Sequence, residues 1–464
     1  MSNGIDTGFK LFNLPWKYFA AFAALVLLAT MLGVLPGGMA GCFAFMIVFG
    51  AVLQEVGDRL PIVRSFLGGG AIVIIFGMGY LRYMDFFGVF DLFTGIIAKA
   101  PADGATYTSV LMKNIDAFFK PAGAFLDFYI AALITGSILG MNRKLLVKAA
   151  ARYFPAIFGA IAVSFGLAAW AGHMTGFGVI RALLLIALPI MGGGMGAGAV
   201  PLSKIFESTG TMTAEEAISI MNPAVAIGNA TSIVLAGILV KVLVSKSWNG
   251  QGALMKTGPN DASEFEISPE IQAKRDKISI TGLGVGLLVA TSFFAWGYIV
   301  AGVWSKIVPA VTIHAYAWMI ISVALCKVFD VLPETVEISC YQWFQFVMKN
   351  LTGALMVGIG LCYLSLDVVI KSFTMTYLLL CLLTCFGAII GAGLVGMMVG
   401  FYPVEAAITA GLCMANMGGT GDVAVLSAAD RMELMPFAQI SSRLGGAIIL
   451  IIGSLMLSTL GSML

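Results

Sequence analysis

The chain has 464 residues, of which 59% are hydrophobic and 11% charged, with a net charge of +2. Soluble domains carry about 25% charged residues. With a mean hydropathy of +0.98, this composition excludes a soluble enzyme on a single anchor, and the near-neutral charge gives no reason to expect a nucleic-acid partner.

Read in chain order, apolar stretches long enough to cross about 30 Å of hydrocarbon recur throughout. Spans are expected at residues 16–35, 41–54, 65–82, 122–141, 154–171, 222–244, 280–303, 311–331, 353–366, 375–401 and 436–460. No signal-peptide pattern precedes the first. The seven cysteines lack zinc-type spacing and read as small packing residues. No cofactor is implied, and no metal beyond a possible Na+.

Two segments fit badly as spans. Residues 180–208 contain Met191-Gly-Gly-Gly-Met-Gly-Ala-Gly198, and residues 406–429 contain Asn416-Met-Gly-Gly-Thr-Gly-Asp422. Glycine this dense breaks a helix. Broken backbone is tolerated inside a bilayer only where protein buries it or it lines a wet cavity. Both segments are therefore expected to be re-entrant hairpins. The fold class is an all-α polytopic membrane protein of about eleven spans plus two hairpins.

Lysine and arginine placement sets the expected orientation. With the N-terminus inside, Arg59, Arg64, Arg143, Lys144, Lys148, Arg152 and the polar linker 246–278 all lie inside, and the C-terminus lies outside. Residues 83–121, with Lys99, Lys113 and Lys120, are the weak point of this scheme. The glycine runs also align with each other: Gly193–Ser203 matches Gly418–Ser427 with one gap, and Asn222–Asn229 matches Met435–Ser442. The expected organisation is a first span (1–36), a first repeat (37–245), the linker, and an inverted second repeat (279–464).

Matched breaks in inverted halves point to the site of a secondary transporter. Half-helix N-termini offer free N–H groups to an anion, and unwound carbonyls such as that of Gly192 can ligate a cation. Small residues also let helices pack closely, which is the competing explanation for either run alone. Arg443 lies about two turns into the last span. An arginine there costs about 3 kcal/mol unless paired, and its planar fork suits a carboxylate. A salt bridge to Asp422 or snorkelling is the alternative. Asp422 either closes the second hairpin by accepting backbone N–H bonds or ligates a cation. Asn416, Thr420 and Ser442 offer neutral oxygens beside the same break, as cation ligands or as caps. Lys204 and Glu207 are expected to pair, Arg181 and Lys327 to snorkel, and His173 and His314 to bind no metal.

The stretches Gly192–Ser203, Ala406–Asp422 and Ala438–Gly446 resemble the bacterial 2-hydroxycarboxylate transporters, which include sodium–citrate symporters and malate and citrate/lactate carriers. The resemblance covers nearly the whole chain from Phe12. It implies a homodimer in the bacterial inner membrane and elevator-like motion of a substrate domain. It also implies that Arg443 binds the carboxylate, with Gly194, Met195, Gly196, Met417, Gly418, Gly419 and Thr420 around the substrate. Cys413, Asn416, Thr420 and Ser442, with Gly192, fall where sodium-coupled members line cation sites. Met195 stands where the citrate symporters have asparagine, and Met417 where they have a second arginine. The expected ligand is therefore a dicarboxylate, malate first, with citrate weaker, carried by symport with Na+ favoured over H+; exchange of malate or citrate against lactate is the alternative. A channel would need a selectivity ring and an enzyme a nucleophile with its base, and neither is evident.

Overall fold

A computed structural model describes residues 9–61, 63, 70–93, 106–119, 124–141, 143, 150–243, 247–256, 268–308, 313–418 and 420–464. Arg64, Lys99, Lys120, Lys144, Lys148, Lys246 and Gly419, and the starts of the spans expected at 65–82, 122–141 and 311–331, lie outside the described residues. The chain divides into two compact units: Met1–Ser65 with Gly69–Asp127 and Lys349–Leu366, and Phe66–Gly68 with Phe128–Met348 and Asp367–Leu464.

The first unit opens with a short antiparallel pair, β1 (Lys10–Leu11) and β2 (Leu14–Pro15). Helices α1 (Trp16–Met31), α2 (Met39–Arg59), α3 (Gly70–Tyr83), α4 (Gly88–Asp91) and α5 (Tyr107–Phe119) follow. Leu11 packs with Phe19, Ala23 and Val48, so the strand pair is tied to α1 and α2. Asp58 accepts the Gly70 N–H at 3.0 Å and caps α3. Phe43 meets Phe118 and Phe125 edge-on, each with centroids 5.1 Å apart. Helices α4 and α5 fall in residues 83–121, read from sequence as a long connection.

The second unit takes α6 (Phe125–Leu139) from Phe128 onward, then α7 (Ala150–Met174), α8 (Val179–Ala182), α9 (Leu188–Ile190), α10 (Val200–Ser208) and α11 (Ala214–Val242). It continues through α12 (Pro269–Asp276), α13 (Ile280–Ile307), α14 (Ala315–Val328), α15 (Glu334–Cys362), α16 (Leu366–Ser372) and α17 (Met375–Met398). Helices α18 (Pro403–Ala406), α19 (Thr420–Ala429), α20 (Met435–Ile440) and α21 (Gly446–Leu460) complete it. Residues 349–362 of α15 belong to the first unit. In its described residues every expected span overlaps one or more of these helices, the last crossing both α20 and α21. Among the described residues, seven helices are long and apolar enough to cross a membrane.

Helices α7 and α17 cross almost backbone to backbone. A Cβ on Gly391 would lie 2.0 Å from the Gly159 carbonyl, so only glycine admits the crossing. In α13 just Gly282, Gly286, Ala290 and Gly297 are buried; its other, largely apolar residues are at least partly exposed, as a lipid-facing helix requires. Within the linker, Ser268 accepts the Ile271 N–H at 3.4 Å, Pro269 opens α12, and Lys274 and Arg275 occupy its last turn. Each feature favours a helix at that place.

Two expectations are corrected here. The span expected at 353–366 begins at Glu334, because charged residues in the first turns of α15 lower its hydropathy signal. Lys327 does not snorkel. It is 5% exposed and pairs with Glu337 at 2.7 Å, a partner supplied by the stretch of α15 that hydropathy hides. Lys204 and Glu207 pair as expected, at 3.1 Å.

Removing one partner of a buried pair leaves a charge without compensation, at a cost of about 3–5 kcal/mol. Glu337→Gln is expected to lower the melting temperature of the detergent-solubilised protein, and Lys327→Met with Glu337→Leu to recover most of the loss. A double variant as unstable as the single one would show that the pair's charges are not the origin of the effect.

Candidate functional site

Both glycine-rich segments are interrupted helices in the second unit. The first runs through α8, a π-helical stretch at Leu183–Ala187, α9, a turn at residues 191–194, a second π-helical stretch at Met195–Ala199, and α10. The second runs through α18, a π-helical stretch at Ala407–Leu412, a non-helical tip and α19. A further π-helical stretch, Ser441–Gly445, joins α20 to α21 and places Arg443 at its middle. Such wide turns are rare and concentrate at functional sites. Hydropathy and residue type carry no signal for them, and sequence reasoning missed all four.

The two interruptions meet. Gly193 and Gly194 have φ of +78° and +104°, a region that disfavours side chains. A Cβ on Gly194 would lie 2.6 Å from the Met417 carbonyl oxygen, and one on Gly193 2.5 Å from that of Ser442. One on Gly446 would lie 2.8 Å from the Gly192 carbonyl oxygen. The first tip is thus held against both the second tip and the Arg443 helix. The packing role of small residues and their role at a site coincide.

Polar side chains stitch the second tip. The Asn416 amide donates to Asp422 Oδ1 at 3.0 Å, while its Oδ1 accepts the Gly418 N–H at 2.6 Å. Ser442 donates to Asp422 Oδ2 at 2.8 Å, and Asn229 of α11 accepts the Met417 N–H at 3.1 Å. Asp422 is fully buried and these partners are side chains, not the backbone N–H groups expected. Cys413 is also fully buried and lies within electrostatic reach of Asp422. Ser441 and Tyr153 share a hydrogen bond at 2.9 Å behind the π-helical turn.

Arg443 is half-buried and lines a cavity of about 20 Å³ with Ser137, Ile138, Pro201, Ile320 and Gly446. That volume holds a water, not a carboxylate substrate. Arg443 makes no hydrogen bond or ion pair with any described residue, Asp422 included. It does feel the Asp422 charge. The salt-bridge alternative therefore does not describe it. Met195 is 2% exposed beside the same tips. The structure describes the backbone of Gly196 and Thr420, in the Met195–Ala199 stretch and at the start of α19. His314 caps α14, accepting the Tyr316 N–H at 3.3 Å, and His173 is exposed.

The base of the second interrupted segment is clasped by the linker, a feature sequence reasoning also missed. Tyr402 N–H donates to Leu254 O at 2.9 Å and Val404 N–H to Trp248 O at 3.2 Å. Glu405, fully buried, accepts the Gly250 N–H at 2.8 Å and the Arg431 Nε–H at 3.4 Å. Glu405 enters the segment and Arg431 follows it, so their contact closes its base.

These features define a polytopic α-helical membrane protein with a half-buried arginine facing a small cavity lined by α6, α10, α14 and α21, beside two interrupted helices. A profile of the 2-hydroxycarboxylate transporter family matches residues 11–455. The chain is 36% identical over 456 residues to the citrate/sodium symporter of Salmonella typhimurium, covering 97% of this chain and 95% of that one. It is 37% identical over 452 residues to the citrate/sodium symporter of Klebsiella pneumoniae, covering 97% and 94%. It is 35% identical over 450 residues to malate transporter MleP of Lactococcus lactis subsp. lactis, covering 97% of each. The chain belongs to the 2-hydroxycarboxylate transporter family; it is a membrane transporter, not an enzyme.

Gly194→Ala adds a Cβ at positive φ against the Met417 carbonyl, so the two tips must separate. Substrate uptake in vesicles is expected to fall by about fivefold or more, since each strained position costs on the order of 1–3 kcal/mol. Uptake within twofold of wild type, at equal protein level, would show that the tip contact is dispensable.

Proposed function

We propose that the chain is a cation-coupled symporter of small 2-hydroxydicarboxylates, malate first, with Na+ as the coupling ion. The observation that carries this reading is Arg443: a guanidinium at a cavity, in a π-helical turn, with no hydrogen bond or ion pair to any described residue. A carboxylate is the natural partner of such a fork. Met195 and Met417 supply no charge beside it, which suits two carboxylates better than three.

The coupling ion is assigned to the Asp422 cluster. One buried carboxylate with the oxygens of Asn416 and Ser442, within reach of Cys413, offers the hard donors Na+ prefers, and Thr420 and the Gly192 carbonyl are assigned to the same site. The Salmonella and Klebsiella relatives are citrate/sodium symporters by name, which supports Na+ here. Coupling is required energetically. A malate dianion entering an inside-negative cell works against about 4.6 kcal/mol at 100 mV, at about 2.3 kcal/mol per charge. Asp422 also supports a second reading, in which a proton is the coupling ion.

The interrupted segments act as re-entrant hairpins of two inverted repeats, and the transporter works as a homodimer by elevator-type alternating access. The attachment of residues 248–256 to the base of the second segment supports an entry from the linker side. With lysine and arginine inside, that side is cytoplasmic in the bacterial inner membrane, the N-terminus is cytoplasmic and the C-terminus external.

Labelled L-malate is expected to accumulate in proteoliposomes only with an inward Na+ gradient, at equal pH on both faces. Uptake driven by a pH gradient and indifferent to Na+ would replace Na+ by H+; no malate uptake at all would overturn the substrate reading. Arg443→Gln is expected to lower uptake by about tenfold or more, the cost of losing a charge-assisted pair. Asp422→Asn is expected to abolish the dependence on Na+ concentration while leaving substrate binding at saturating malate measurable. An unchanged Na+ activation curve would remove the cation from this cluster.

A further inference from the structure

Arg275 is a buried arginine that the reading above does not use. It sits in the last turn of α12, on the linker, and is 8% exposed. One terminal guanidinium nitrogen donates to the Gly140 carbonyl at 2.8 Å, and the fork lies 4.3 Å from the centroid of the Tyr341 ring. Its Nε is buried with no hydrogen-bond partner among the described residues. A buried charged donor left unmet is costly, and anchoring α12 does not require it. Gln342 already performs that task, donating to the carbonyls of Arg275 and Lys277 at 3.0 Å each.

The position of the fork is informative. Gly140 is one helical turn beyond Ser137 of α6, which lines the Arg443 cavity. Arg275 is therefore placed at the linker end of that cavity's wall. Burial shifts the Arg275 guanidinium below its ordinary pKa, the Tyr341 phenol opposes this, and the positive charge of Arg443 adds to the lowering. Two arginines that feel each other's charge, one at the cavity and one at the linker end of its wall, are a favourable place for an anion passing between them. The nearest carboxylates are already engaged, Glu337 with Lys327 and Glu334 with Lys274, each at 2.7 Å. The residues lining the cavity include no cation besides Arg443.

We propose that Arg275 is a second carboxylate-binding residue, which takes the far carboxylate of a 2-hydroxy di- or tricarboxylate as it passes between the Arg443 cavity and the linker side. The assignment rests on Arg443 being the site of the first carboxylate. A monocarboxylate such as lactate has no far carboxylate and does not use Arg275. The residue thus discriminates by the number of charges, from a part of the chain outside the interrupted segments.

The test is competition in proteoliposomes of the full chain. Unlabelled lactate, malate and citrate compete against whichever labelled hydroxycarboxylate the wild-type protein takes up, in wild type, Arg275→Gln and Arg275→Lys. Loss of a charge-assisted contact predicts that Arg275→Gln raises the inhibition constants of malate and citrate by about tenfold or more. The lactate constant is expected to change less than about twofold, the scatter of a variant that alters no contact. Arg275→Lys, which keeps the charge and the stem, is expected to restore most of the loss. An equal change for all three acids would make Arg275 a structural latch, and no change would remove it from the route; either overturns the proposal. If Arg275→Gln fails to fold, Arg275→Lys decides alone. Its malate-to-lactate ratio must stay on the wild-type side and its discrimination must survive, since lysine still attracts the second carboxylate; a ratio collapsed to unity refutes the proposal. The substrate reading fails separately, in the wild-type row, if malate is not the preferred competitor.

Discussion

A broken helix in a bilayer has to find partners for the backbone groups that the break exposes, because hydrocarbon offers none. In this chain the second break finds them in the side chains of Asn229 and Asn416, and the two breaks are packed against each other. Gly194 stands against the Met417 carbonyl and Gly193 under the Ser442 carbonyl, at separations no side chain tolerates. Asn416, Asp422, Ser442 and Asn229 then complete the second tip. Everything else about the site follows from that meeting. The glycines fix where the tips touch, the tips fix Ser442, and Ser442 is the neighbour of Arg443.

The cost of placing Arg443 there explains the surrounding backbone. A π-helical turn widens the helix by one residue and re-aims the side chains that follow. Here it turns the guanidinium toward a cavity rather than into the packed interface with the first tip. Asp422 lies close enough to contribute a favourable field without an ion pair. A full salt bridge would have occupied the fork, and a distant carboxylate would have left the buried charge without compensation. The intermediate arrangement leaves the bidentate face available to a ligand.

Much of this was legible in the sequence, for definite physical reasons. The spans were visible because apolar length is imposed by the bilayer, and the two interruptions because glycine cannot be hidden in a helix. Arg443 stood out because charge at that depth is expensive. Other features were hidden by the same logic. Glu334 and Glu337 masked the start of α15, and with it the partner of Lys327. The polar composition of the linker concealed both α12, although Ser268 and Pro269 announce a helix start, and the clasp on Glu405. Ser137 and Ile320, which line the cavity opposite Arg443, belong to otherwise ordinary apolar helices. The π-helical turns arise from tertiary packing, which no local pattern encodes.

On the proposed reading, the adjacency of Ser442 and Arg443 gives coupling a physical basis. Asp422 holds Ser442 directly and acts on Arg443 through space. A cation on Asp422 would cancel most of that field and raise the attraction of Arg443 for a substrate carboxylate. The bound carboxylate would in turn strengthen the cation site, since linkage between two ligands is reciprocal. Ser442 adjoins both tips, so either ligand alone leaves an unbalanced charge next to the contact that the tips must keep closed. Movement of an occupied site across the membrane is then cheapest with both ligands present. A transporter built this way needs no separate coupling device; the glycine contact that closes the two breaks supplies it.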